Sequence, residues 1–285
     1  MVKRRRWGRA VVCCLVMGAL ASCGGAEGKV YEGLVERTPT APAKPADEVR
    51  GERLSGESME LLRNAESLRI GLEMTTAARG REDISVHLDR RGNCTATFDS
   101  GPARKGDMIV VGGGAVYFRF SNETLDAVGD EASAGAPELR QRARERIALA
   151  RGKYVKVPKK GGSSQGQASG ALTKLCDLRS MLDQVAGAGG TDTDGGVRAL
   201  PDKEWHGRQV TPLVPTEGEG GMTAYLATGD EPYIVGATQT TDDEQVEMRM
   251  SDYDKPVAAR APDPSLVIDM EALGMGAGGG TLFEV

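Results

Sequence analysis

From Leu68 onward apolar and polar positions alternate. Leu68, Ile70, Leu72, Met74 and Thr76 are separated by Arg69, Gly71, Glu73 and Thr75, the two-residue period of a strand with one apolar face. Ile84, Val86 and Leu88 repeat the pattern, and the turn Arg79-Gly80-Arg81 makes the two runs a predicted hairpin. Cys94–Asp99, Met108–Val111 and Ala115–Phe120 follow, joined by Arg90-Arg91-Gly92-Asn93, Lys105-Gly106-Asp107 and Gly112-Gly113-Gly114. Five strands with such short turns form an antiparallel meander by default. The glycine triplet precedes no helix and lacks the spacing of a phosphate cradle, so it reads as a hairpin turn.

Helical periods bracket this meander. Met59, Leu61, Leu62, Ala65 and Leu68 recur at three- and four-residue spacing, predicting a helix from about Ser58. Asn122 to Ala150 is helical again, with Pro137 and Glu138 suited to a helix N-terminus and Leu139, Ala143, Ile147 and Ala150 on one stripe. Arg140, Arg142, Arg144, Arg146 and Arg151 crowd that stretch, which reads as a solvated face in preference to a basic patch for anionic head groups. After a short strand at 154–157 and a Gly/Ser/Gln-rich link, Ala171–Val185 predicts a further amphipathic helix carrying Cys176. The last third returns to strands at 209–214, 222–227, 233–238 and 245–251, and Pro264–Leu273 closes as a short strand or helix. A one-sided sheet must bury its apolar face, and the amphipathic helices at 137–150 and 171–185 are the predicted cover. The fold class is therefore α+β.

Composition adds little until the N-terminus is read. Lys3, Arg4, Arg5, Arg6 and Arg9 precede an apolar run from Ala10 to Leu20, a charged region and an apolar region of signal-peptide length, too short to span a bilayer as a mature helix. Leu20-Ala21-Ser22-Cys23 then resembles the lipobox of bacterial lipoproteins: a branched apolar residue, two small ones and a cysteine. That resemblance implies that residues 1–22 are removed, that Cys23 is acylated, and that the protein is held at the extracytoplasmic face of the cell membrane. Two acyl chains suffice for stable anchoring where one is marginal, at about 0.8 kcal/mol per buried methylene. Removing residues 1–22 takes five basic and no acidic groups, leaving 31 basic against 41 acidic residues and a net charge near −10. Nucleic acid is a poor partner for such a chain. Residues 23–56, with Thr38-Pro39-Thr40-Ala41-Pro42-Ala43-Lys44-Pro45 at their centre, read as the acylated N-terminus and a tether, 57–273 as one domain, and 274–285 as a tail.

Cys13 and Cys14 leave with the leader and Cys23 takes lipid, so Cys94 and Cys176 remain as a pair in an oxidising compartment. Their disulfide would close a loop of about 80 residues, worth on the order of 4–5 kcal/mol in the chain-entropy model; the alternative is two unconnected buried thiols. Catalysis has little to work with. His87 and His206 are the only histidines, no serine sits in a nucleophile-elbow context, and no motif places a carboxylate pair. No metal or cofactor is expected. Asp192-Thr193-Asp194-Gly195 fails the calcium-loop pattern, with Pro201 where the closing Glu should stand.

The order helix, five strands, helices and four strands, ending in Ser251-Asp252-Tyr253-Asp254-Lys255-Pro256-Val257 with Ala261-Pro262 beyond, resembles the LppX/LprG-type lipoproteins of actinobacteria and, more distantly, the LolA/LolB carriers. Gly229, Pro232, Tyr253, Pro256 and Val257 match that pattern, over residues 57 to 270. The resemblance implies a curved antiparallel half-barrel with helices on its concave face and an apolar cavity able to take acyl chains. Leu72, Met74, Val86, Phe98, Phe118, Leu226, Ile234 and Met248 are the candidate lining, since methionine-rich apolar faces repack around varied ligands. The competing reading is a cell-envelope interaction or sensory module of the same fold with these residues as filled core.

Overall fold

The computed structural model describes residues 43–78, 80–102, 104–134, 136–157, 176–189, 196–217 and 221–273. The leader, Cys23, the calcium-like loop and the tail lie outside them. The elements run α1 (Ala46–Asn64), β1 (Ser67–Thr76), β2 (Gly80–Asp89), β3 (Cys94–Asp99), β4 (Lys105–Val111), β5 (Ala115–Phe120), α2 (Asn122–Ser133), α3 (Pro137–Ala150) and β6 (Tyr154–Val157). Then come α4 (Leu178–Gly189), β7 (Val197–Ala199), β8 (Lys203–Trp205), β9 (Arg208–Pro215), β10 (Thr223–Ala227), β11 (Ile234–Thr240), β12 (Glu244–Ser251) and β13 (Val267–Asp269).

All strands join one sheet in the order β13-β6-β5-β4-β3-β2-β1-β12-β11-β10-β9-β7, with β8 on β9; its two ends are β13 and β7, so it does not close. Every pairing is antiparallel except β13 on β6. The result is the expected α+β half-barrel with helices on its concave face. Alternation puts Leu68, Ile70 and Leu72 of β1 on the same side as Val86 and Leu88 of β2, Cys94, Ala96 and Phe98 of β3, and Met248 and Met250 of β12. Leu62 of α1 and Leu178 and Leu182 of α4 fill that side.

The cover differs from the expected one. α1 and α4 join the main core through Leu62, Leu178 and Leu182, with α1 packed chiefly on β7, whereas α2 and α3 form a separate cluster of Phe120, Leu125, Ile147, Ala150, Val155 and Leu273 beside β5 and β6. Ser121 caps α2 by accepting from the Thr124 backbone N–H at 3.0 Å, and the Thr124 hydroxyl donates to the Lys105 carbonyl, tying the helix start to β4.

α1 starts at Ala46, inside the segment read as tether up to residue 56. Its stretch up to Gly56 is charged and holds Gly51 and Gly56, which reads as linker, but Gly51 is a buried packing position. A Cβ there would lie 2.4 Å from the Val197 carbonyl oxygen and 2.8 Å from the Arg198 Cα of β7. Cys176 also departs from expectation, for it precedes α4. The Asp177 carboxylate accepts from the Ser180 backbone N–H at 3.2 Å and so caps a helix beginning at Leu178. A disulfide joins Cys94 to Cys176 and pins that cap to β3.

The convex face carries its own lock. The β8–β9 turn lays Trp205 flat against Tyr225, ring centroids 4.5 Å apart, above Gly236, whose missing side chain makes the room. His206 in the same turn pairs with Glu247 of β12 at 2.9 Å. Nearer β1, Asp252 accepts from Arg69 Nε at 2.7 Å and from Lys255 Nζ, which hold its carboxyl at a pKa of about 2.

Candidate functional site

The eight candidate lining residues share the concave face but divide into two groups. Val86, Phe118, Leu226 and Ile234 are buried in the core, Phe118 at 5% exposure. Phe118 stands opposite Met108 and Val155, and Leu226 opposite Ile234, so these four are enclosed by neighbouring strands as well as by helices. Leu72, Met74, Phe98 and Met248 are only half-buried, toward the β1–β2 and β11–β12 turns.

Register gathers the second group into one strip. Leu72 lies between Met248 of β12 and Ile84 of β2, Met74 lies between Val246 and Glu82, and Ile84 in turn faces Phe98 of β3. The Phe98 ring leans over Gly106 of β4, where a Cβ would come within 2.9 Å of it. Ile84, Phe98 and Met248 border the core. The strip therefore continues the core outward as an apolar surface incompletely covered by the described helices. The strip's rim is polar. Glu82 stands opposite Met74, and Arg104 from the β3–β4 turn approaches it at 3.9 Å. Ile84, Val246 and Glu82 belong to the strip although they were not among the predicted lining residues. The signal for Glu82 was available, since extending the β2 alternation two residues back from Ile84 reaches it.

The opposite face offers a groove of about 600 Å³ floored by Gly71, Ser85 and Thr97. Its charges are internally matched: Arg69 with Asp252, Arg249 with Glu247 and Glu73, Lys105 with Asp99, and Arg119 with Asp107. Such a surface has little unused charge to offer a ligand. His206 is exposed in its turn, as expected. His87 faces away from the helices, also as expected, yet it is buried at 5% exposure. Its Nδ1 accepts from Arg69 Nη2 at 3.2 Å, so the ring proton sits on Nε2, which makes no well-formed hydrogen bond among the described residues. Burial, and then the Arg69 charge, lower its pKa and keep it neutral. Among the described residues no group of three His, Cys, Asp or Glu could hold a metal ion, and no helix is long and apolar enough to cross a membrane.

The described residues thus define a half-barrel with helices on its concave side and an apolar strip at one end. No family model matches the sequence and no curated protein is similar to it. Solved structures are similar in fold. The lipoprotein LppX of Mycobacterium tuberculosis matches at 10% identity and a TM-score of 0.42, over 74% of this chain and 99% of that one. LprF from Mycobacterium bovis matches at 13% identity and a TM-score of 0.45, over 75% of this chain and 97% of that one. A LolA superfamily protein from Nitrosomonas europaea matches at 8% identity and a TM-score of 0.23, over 76% and 96%. LppX and the LolA superfamily protein fall within the types to which the sequence bears its resemblance, and the likeness is one of fold alone.

Proposed function

We propose that the mature chain is a lipoprotein, anchored through an acylated Cys23 to the extracytoplasmic face of the cell membrane, that binds a lipid or another apolar ligand between sheet and helices and can pass it on. The observation that carries this reading is the strip of Leu72, Met74, Ile84, Phe98 and Met248, one contiguous apolar surface that the described helices leave half-buried. Apolar side chains in such a position gain about 25 cal/mol per Å² once covered, and an acyl chain is a suitable cover. The second reading, an interaction or sensory module with a filled core, draws support from Val86, Phe118, Leu226 and Ile234, which are already enclosed.

The full chain, purified in mild detergent from a host that processes lipoproteins, separates the two by native mass spectrometry with solvent extraction. Stoichiometric acylated mass beyond the covalent anchor supports the carrier. An apo mass, with no uptake of added phospholipid or fluorescent fatty acid, selects the module. Peptide mapping of the same sample shows whether Cys23 carries lipid, and Cys23→Ala should release the protein from the membrane fraction.

A further inference from the structure

The apolar strip ends on a carboxylate. In β2 the alternation that turns Val86 and Ile84 toward the helices continues to Glu82, while Arg81 and Asp83 lie on the convex side and pair there with each other and with Glu73. The Glu82 side chain is 12% exposed, and among the described residues its one ionic partner is Arg104, 3.9 Å away and 57% exposed. That separation exceeds a hydrogen bond. A carboxylate at the edge of an apolar surface gains from a charged hydrogen-bond donor, because a charge-assisted hydrogen bond is stronger than a neutral one. Neither Glu82 oxygen has a hydrogen-bond partner among the described residues and neither is sealed from solvent, so both can accept from a ligand beside Met74 and Ile84, and Arg104 has donors open to solvent.

We propose that Glu82 and Arg104 form the head-group end of the strip and select a zwitterionic phospholipid of the phosphoethanolamine type. The ammonium, which donates only, satisfies Glu82. The phosphate, two carbons away in such a head group, is matched by the Arg104 fork, and the acyl chains run inward over Leu72, Phe98 and Met248. An anionic glycerol head group lacks the cation and leaves the acid unmatched, so Glu82 is the residue that sets preference. This inference rests on the reading of the concave face as a lipid site.

The test is competition. The full chain is incubated with mixed micelles holding equal amounts of phosphatidylethanolamine and phosphatidylglycerol with identical acyl chains, and bound lipid is quantified after native separation. Wild type should favour phosphatidylethanolamine by about tenfold, equivalent to about 1.4 kcal/mol. Glu82→Gln should bring the ratio toward one, and Glu82→Asp, which keeps the charge, should retain part of the preference. Lipid bound without preference, a preference for phosphatidylglycerol, or a ratio indifferent to Glu82→Gln would overturn the head-group inference and leave the carrier reading standing. Binding of neither lipid would remove the carrier reading itself.

Discussion

Two glycines in α1 should respond to the same substitution with opposite signs. Gly51 and Gly56 both lie in the helix interior, where replacing glycine by alanine gains about 0.5–1 kcal/mol through backbone entropy. At Gly56 a Cβ meets nothing within 4 Å, so Gly56→Ala should deliver that gain in full. At Gly51 the Cβ would meet three atoms of β7 below 3.0 Å, the Val197 oxygen, Arg198 Cα and Ala199 nitrogen. All three are backbone, and none can be moved by a side-chain rotation. The helix must therefore back away from β7, at the roughly 1–3 kcal/mol typical of overpacking. With the strain toward the upper end of that range, the propensity gain leaves Gly51→Ala destabilised by about 2 kcal/mol. For a domain of this size each kcal/mol shifts the midpoint by about 2–4 °C, so thermal unfolding of the full chain should place Gly51→Ala about 4–8 °C below wild type and Gly56→Ala about 1–4 °C above it. Midpoints that move together, in either direction, would refute the packing of α1 on β7.

Three further outcomes are expected. Replacing Cys94 and Cys176 together by alanine should cost up to about 4–5 kcal/mol, since the bridge spans 82 residues; a denaturant-derived loss below about 1 kcal/mol would mean the loop is already constrained when unfolded. His87 has a folded pKa below its ordinary 6.5, so the unfolded chain takes up the proton that the folded chain refuses. Stability should then fall as pH drops below 6.5, by at most about 1.4 kcal/mol per pH unit, despite the opposing charges of Asp252 and Asp89, and His87→Gln should flatten that part of the pH profile. Phe118→Ala should cost about 3–5 kcal/mol as a core truncation, while Phe98→Ala should cost about half as much and reduce fluorescent fatty-acid uptake more; equal stability losses would place both in the core.

How much of this was legible depends on what each segment packs against. The meander from Ser67 to Phe120 was readable strand by strand, because one face is apolar and the other polar, but β2 and β4 begin earlier than their apolar alternation, at Gly80 and Lys105, so that Lys105-Gly106-Asp107 is strand paired with β3 and not a connection. The start of α1 was hidden because Gly51 has the composition of a linker and the role of a contact, and that role depends on β7, which lies far along the chain. β7 and β8 are three residues each, too short for a period to show. Cys176 was placed inside a helix because apolar spacing runs through it, whereas Asp177, a helix-capping residue, marks the true start. At the candidate site alternation identified the correct face. It could not separate Phe118 from Phe98, since the difference lies in how far the helices reach across the sheet.

The strand order has a consequence for assembly. β1 pairs with β2 a few residues away on one side, but on the other with β12, Arg69 standing opposite Ser251. A ribosome or export channel delivers β12 last but one among the strands, and until it arrives the sheet consists of two ladders, β2 to β6 with β1 at one side and β7 to β11 at the other, that share no strand. β12 is the keystone. Chains ending before Glu244 would present two open edges facing one another with nothing to fill them, so the last 40-odd residues decide whether the rest becomes one body.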